Sequence, residues 1–307
     1  ETLLINAISY REQLTRIAIN EAAKQCLVAY ARYPMLDYLG ELVGVQRLPA
    51  SKALTAIRFN MVEGHTGMFA SAGIRVQSTD GKVVFITTES KSVTISETFF
   101  TVDAECTTEG IAGNNYQIND ISVILDPQPF IATAGNTGVT TGGADTETDD
   151  ALRERIKLAP SSFSVAGPDG AYKYFAKSAH QSIIDVEVGS EEPGDVNIYL
   201  LLKDGEEPSP EILDAVNAAV SGDKVRPLND NVIIEGAEKI DYNLSVELTL
   251  LNGAVSASVL AIVNDRVNKY VDARRNKLGL DVVINQIIGE CKIDGVYKPV
   301  VTSPSSD

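Results

Sequence analysis

Near Asp149 the chain changes its periodicity, and that change limits what it can fold into. From Ala53 to about Ile131, apolar and polar residues alternate, in TAIRFNM (55–61), VVFITT (83–88), SVTIS (92–96) and FFTVDAEC (99–106). A period of two marks strands with one face buried. Asp80-Gly81 supplies a hairpin turn, Gly110–Asn115 a loop, and ISVIL (121–125) a further strand. From Glu147 onward the spacing becomes helical. Thr146 or Thr148 can cap a helix, Asp149 and Asp150 face its positive end, and Leu152, Ile156 and Ala159 recur on one side. Arg153, Glu154, Arg155 and Lys157 cover the other side, and Pro160 ends the segment.

Beyond that seam, helices and strands alternate. The spacing predicts a helix over 171–180 with Asp169 as cap, strands at 183–188 and 196–202, and a helix at 210–220 behind Ser209 as N-cap. Strands at 232–235 and 242–251, a helix from 255 to about 277 ending at Gly279, a short strand or helix within 281–291, and a last strand follow. The expected fold class is therefore α+β and multidomain: a long N-terminal helix, a small β-sandwich or barrel, then a tandem α+β region. The boundaries read as 1–52, 53–144 and 145–307, the last divisible at about 235/236. Two α+β sandwiches and one larger mixed sheet both fit that region. Ala132–Gly143, rich in small residues, reads as a linker.

Residues 2–32 predict one helix of about 45 Å. Leu3, Ala7, Tyr10, Leu14 and Ile17 follow a seven-residue apolar pattern to which Val28 returns, and Glu21 and Lys24 interrupt it. A second stripe of Leu4, Ile8, Ala18, Ala22 and Cys26 lies beside the first. Two stripes require more than one neighbour, either within the helix's own domain or from other subunits in a bundle.

Composition excludes several function classes. A net charge of −16 argues against nucleic-acid binding, which needs clustered Lys and Arg. Residues 1–52 are nearly neutral, whereas Asp185–Glu207 carry eight acids against Lys203 alone, a solvated face or a docking strip for a basic partner. No apolar run approaches the roughly 20 residues of a membrane helix, and no signal-peptide pattern stands at the start. The start at Glu1 suggests a processed or trimmed N-terminus. Cys26, Cys106 and Cys291 form no pair by spacing and suit a reducing compartment. His65 and His180 fall in different regions and read as surface or loop residues. Phosphate-loop, dinucleotide, zinc-protease and serine-hydrolase motifs are missing. Asp145, Glu147, Asp149 and Asp150 lack the glycine and distal glutamate of a calcium loop, so helix-start acidity explains them more simply. The expectation is no enzyme, no cofactor and no metal. A carbohydrate face would need exposed aromatics, and Phe59, Phe69, Phe85, Phe99, Phe100 and Tyr116 mostly alternate as core residues.

Five stretches carry a family resemblance: YPMLDYLGELVGVQRLPA (33–50), ASAGIRVQSTDGKVVFITTESKSVTI (70–95), TETDDALRERI (146–156), SVAGPDGAYKYFAKSA (164–179) and IIDVEVGSEEPGDVNIYLLLKDGEEPS (183–209). In this order they resemble the baseplate J proteins of contractile-tailed phages and related injection particles. The resemblance implies a structural wedge subunit, assembled in the bacterial cytoplasm, that joins neighbouring wedges into a ring around a central hub and couples baseplate rearrangement to sheath contraction. It favours the bundle reading for Leu3, Ala7, Tyr10, Leu14 and Ile17. It also makes other wedge subunits, a second copy, hub or spike and sheath-initiating proteins the partners, with no nucleic acid and no membrane insertion. Arg153 and Arg155 are candidates for intersubunit ion pairs, beside the plainer reading as helix-surface charges. The alternative is a glycan-binding or glycan-degrading tail-associated protein.

Overall fold

The computed structural model describes residues 2–163, 169–190, 192, 194–222 and 231–304. The chain divides into two compact units, Glu1–Phe163 and Ser164–Asp307. The first holds α1 (Thr2–Lys24), α2 (Met35–Glu41), β1 (Lys52–Met61), β2 (Met68–Ala70), β3 (Arg75–Ser78), β4 (Val84–Thr87), β5 (Lys91–Val93), β6 (Phe99–Glu109), β7 (Ile121–Ile124), β8 (Ile131–Asn136) and α3 (Asp149–Leu158). Thus α3 belongs with the N-terminal unit rather than opening the C-terminal region at residue 145. The Gly167–Pro168 part of the seam lies outside the described residues.

Six strands form one antiparallel sheet in the order β7-β3-β4-β6-β1-β8, with β2 and β5 as a separate ribbon. Alternation does the folding here. On β1 and β6 the paired residues Ile57/Val102 and Phe59/Phe100 point inward, and the two phenyl rings stack with centroids 5.1 Å apart. Val76, Phe85, Cys106 and Ile121 fill the same core. The outermost strands β7 and β8 approach each other, so the sheet curls into a nearly closed barrel.

The closure corrects one expectation, because Ile131–Asn136 is a strand paired with β1 and not part of a linker. Its small residues hide that role, since the seam is sealed by an amide instead of bulky side chains. Buried Asn136 accepts from the Ile121 N–H at 2.9 Å and donates to the Gln117 carbonyl at 2.9 Å and the Gly138 carbonyl at 2.7 Å. Its own carbonyl accepts from the Asn119 N–H.

The second unit holds α4 (Asp169–Ala179), β9 (Ile183–Gly189), β10 (Asp195–Leu202), α5 (Pro210–Val220), β11 (Asn231–Gly236), β12 (Ser245–Leu250), α6 (Ser256–Arg275), α7 (Ile284–Cys291) and β13 (Val296–Ser303). It contains two separate sheets, not one larger one. In the first, of order β11-β10-β9, β10 runs parallel to β11 and antiparallel to β9. Ile198, Leu200 and Leu202 of β10 meet Tyr172 and Ala176 of α4 and Ile212, Val216 and Val220 of α5. In the second, β12 and β13 pair antiparallel beneath α6 and α7, around Val259, Val263, Tyr270, Ile287, Cys291 and Val296. The Asp185 carboxylate of β9 accepts from the Leu278 N–H at 3.0 Å. Ser209 stands at the N-cap of α5, but its hydroxyl makes no capping bond, and Asp169 is the first residue of α4.

Replacing Asn136 by Ala strands the Ile121 N–H and the Gln117 carbonyl at the barrel seam. A loss of about 1–3 kcal/mol or more is expected in denaturant unfolding, the cost of leaving buried polar groups unmet. Unchanged stability would show that water takes over these bonds.

Candidate assembly interface

Helix α1 has 23 residues and none of them is buried. Leu3 is 87% exposed, Tyr10 61%, Leu14 47% and Ile17 49%, and Ala7 is exposed as well. Leu4 and Ile8 of the neighbouring stripe are in the same condition, and Ile19 is exposed too. Within the helix, the Arg16–Glu12 and Lys24–Glu21 pairs are solvent-exposed and contribute little. Each large apolar side chain gains about 1.5–3 kcal/mol when covered. Burial is therefore the larger effect by far, and this chain does not provide it among the described residues. The five positions expected to form a bundle lie together on a helix whose apolar surface is uncovered.

The helix stops at Lys24, eight residues short of the predicted end at 32. Residues 25–31 instead form successive turns, such as Leu27 N–H to the Lys24 carbonyl and Tyr30 N–H to the Leu27 carbonyl. The cause is long-range. Arg153 of α3 reaches back to donate to the carbonyls of Val28 and Ala31, both at 2.8 Å, while pairing with Asp150. The Gln25 side chain accepts from the Arg32 N–H.

The segment that follows is clamped onto α3 by ions. Thr148, not Thr146, caps α3 by accepting from the Ala151 N–H. Arg47 bonds Asp37 of α2, the Asp149 carboxylate at 2.7 Å and the Glu147 carbonyl at 2.7 Å. Arg155 lies 4% exposed and donates to both oxygens of buried Glu147 at 2.7 Å, and to the Gln46 carbonyl. Glu147 in turn accepts from the Leu48 N–H at 3.0 Å. Gly40 of α2 passes so close to α3 that a Cβ there would sit 3.3 Å from Ile156 and 2.7 Å from the Val45 carbonyl.

The two arginines named as candidates for intersubunit ion pairs, or as helix-surface charges, have partners of their own in this chain. Both guanidiniums are engaged within the chain, because the 28–48 segment covers the side of α3 that a lone helix would show to water. Arg47 and Asp37 were not singled out from sequence, and Glu147 was weighed there only within the acidic group of the helix start. Their only signal was an isolated Arg47 between apolar stretches, opposite an acidic helix start. The acidic group considered for calcium is spent on these partners and, for Asp145, on the Ile111 N–H. His65 is buried instead of exposed, held between the Glu97 carbonyl and the Gly67 N–H. Phe69 and Phe99 are exposed, but Arg58 stacks over the Phe99 ring at 3.7 Å.

Two outcomes follow for the clamp. Arg155→Met leaves the Glu147 charge buried without its partner and is expected to cost about 3–5 kcal/mol in denaturant unfolding, while the double change Glu147→Leu with Arg155→Met costs clearly less. Equal losses would make the pair's packing, not its charge, decisive. Burial alone would raise the Asp149 carboxyl, but the bonds from Arg47 and the Tyr33 N–H outweigh it and hold the group below its usual range. A depressed pKa stabilises docking above the ordinary Asp value of about 4 and loses that contribution as pH falls through the folded value. Amide exchange at Tyr33 and Leu48 is expected to quicken in that acid range, and Asp149→Asn to flatten the change.

Three domain models of one family match the chain in order: Baseplate J-like N-terminal domain over residues 2–53, Baseplate J-like protein barrel domain over 56–143 and Baseplate J-like central domain over 164–236. Baseplate protein J of Escherichia phage P2 is 30% identical over 178 residues, covering 58% of this chain and 59% of the relative. A relative in Haemophilus phage HP1 (strain HP1c1) is 26% identical over 253 residues, covering 79% of this chain and 64% of its own. The chain thus spans about three-fifths of the curated relatives it matches. Among solved structures, a chain of the 6-fold symmetrised baseplate of the anti-feeding prophage aligns with a TM-score of 0.44 at 11% identity, over 98% of this chain and 80% of that one. With the N-terminal, barrel and central domain models matched in sequence order over most of its length, the chain belongs to the baseplate J-like family.

Proposed function

We propose that this chain is a structural wedge subunit of a contractile-tail baseplate, acting through assembly and conformational coupling and not through catalysis. The observation that carries the reading is α1: a helix with no buried residue and two uncovered apolar stripes, fixed at its foot by the Arg47, Arg153 and Arg155 clamp. A rigid base holds the helix in place for helices of other wedge subunits to cover Leu3, Ala7, Tyr10, Leu14 and Ile17. The family membership and the named baseplate protein of phage P2 support the same role.

In this reading residues 1–52 form the bundling segment, 53–144 the barrel, and the C-terminal unit, 164–307, the region that meets a second copy and joins neighbouring wedges around the hub. Rearrangement of that ring releases the sheath, so its contacts have two arrangements. The protein assembles in the bacterial cytoplasm and ends in the baseplate of the particle. Among the described residues no helix is long and apolar enough to cross a membrane.

Mass spectrometry of purified tail particles is expected to find the chain at a fixed low stoichiometry, a small multiple of six, relative to sheath and tube proteins. Its absence from particles would remove the proposal. Leu14→Asp is expected to block incorporation while circular dichroism of the rest of the chain is unchanged, because the side chain is exposed and not part of a buried core among the described residues.

A further inference from the structure

His65 is 5% exposed in the loop between β1 and β2, and its two ring nitrogens hold different partners. Nε2 lies 2.7 Å from the Glu97 carbonyl, which can only accept, and Nδ1 lies 3.1 Å from the Gly67 N–H, which can only donate. Together they fix one protonation state, a neutral ring with its hydrogen on Nε2 and a lone pair on Nδ1. The Nδ1 bond reaches two residues along the chain, as an asparagine oxygen does in an Asx turn. The ring thus ties its own loop to the turn between β5 and β6, where Glu97 sits. The Phe130 ring, just before β8, lies 6.5 Å away on a third segment.

What this loop holds is the β2–β5 ribbon. Gly67 stands directly before the Met68/Val93 pair at φ +85°, and a Cβ there would lie 2.9 Å from the Val93 carbonyl. The bond to His65 therefore sets the loop against β5 where the two strands begin to pair. His180 caps the Ser182 N–H in the same way at 3.2 Å. There the Ser182 hydroxyl, 2.6 Å from the same nitrogen, can turn to accept from it once it is protonated. At His65 the neighbour of Nδ1 is an amide N–H, which cannot reverse.

We propose that His65 is an acid-released latch on the β2–β5 ribbon: a proton taken up from solvent at Nδ1 leaves two N–H groups facing each other, and the loop from Val62 to Gly67 lets go of the ring. The latched state holds the neutral ring and the released state accepts the proton, so the latch is present at neutral pH and lost as acid is added. Glu97 faces the ring from the β5–β6 turn, close enough for the two charges to act on each other, and Lys91 of β5 acts on the same carboxylate. Glu63, on the ring's own loop, is exposed. The Glu97 charge favours an imidazolium without offering the Gly67 N–H a substitute acceptor, because its Oε2 already accepts from the Thr94 N–H and hydroxyl.

Hydrogen exchange of the full chain, read residue by residue by NMR, compares about pH 7.5 with about pH 5.5, on either side of ordinary imidazole titration. Each amide is referred to its unfolded exchange rate at that pH. Protection of the Gly67 amide is expected to fall by up to about tenfold, the worth of one hydrogen bond, while Phe59, in the middle of β1, keeps its protection. His65→Asn offers a side-chain oxygen to the same N–H and does not titrate, so its Gly67 protection is expected to be equal at both pH values. Protection at Gly67 that stays constant in the unaltered chain, or falls only together with Phe59, overturns the latch, as does the same fall in a folded His65→Asn chain. If that variant does not fold, the ring nitrogen chemical shifts of the unaltered chain decide. A hydrogen on Nε2 near neutral pH, with double protonation arriving as Gly67 loses protection, supports the latch. A neutral ring protonated on Nδ1, or one that stays neutral while Gly67 exchange quickens, overturns it.

Discussion

The buried pair between Arg155 and Glu147 fixes how the N-terminal segment meets α3, and most of the first unit's geometry depends on it. Taking two charges out of water is costly, and the cost is offset only where every donor and acceptor is used. Here the guanidinium spends its bonds on the carboxylate and the Gln46 carbonyl, and the carboxylate has the Leu48 N–H in addition. Those backbone groups belong to the segment being docked. A shift by one residue would leave an ion or an amide unmet, so the pair sets register more than it adds stability.

Arg47 and Arg153 extend this logic from one point to a line. The first ties α2 to the start of α3, and the second holds the chain just after α1 through two carbonyls. Because α3 leads directly from the barrel through residues 141–147, which bridge to Ser51 and Leu54, the foot of α1 is mechanically continuous with a closed sheet. A force or displacement applied to the helix reaches the barrel through short polar contacts instead of a loose linker.

Much of this fold was legible in sequence wherever its signal is local. The alternation through Ile57, Phe59, Phe85 and Phe100 predicts the strands and their buried faces, and Thr148 with Asp149 and Asp150 predicts the start of α3. What failed to appear in the sequence was set from far away. Nothing between Gln25 and Arg32 breaks a helix; the break comes from Arg153, more than 120 residues later. Ile131–Asn136 has too few large apolar residues to read as a strand, since its place is secured by Asn136 and not by a hydrophobic face. Arg155 sits on the polar side of its own helix, and only the docked segment makes that side an interior. The apolar stripes of α1 were legible as such, whereas their being wholly uncovered was not, because periodicity reports a face and not its neighbour.

That uncovered helix ties folding to concentration. An isolated helix of this length is marginal in water, and its last increment of order comes from whatever covers it. Under the proposed bundling, helicity of residues 2–24 is governed by mass action, lower in a dilute solitary chain than in an assembly that covers it. A frayed apolar segment is also what proteases and chaperones recognise. Under the proposed bundling, the residues that join subunits are the same ones that would mark a subunit left over.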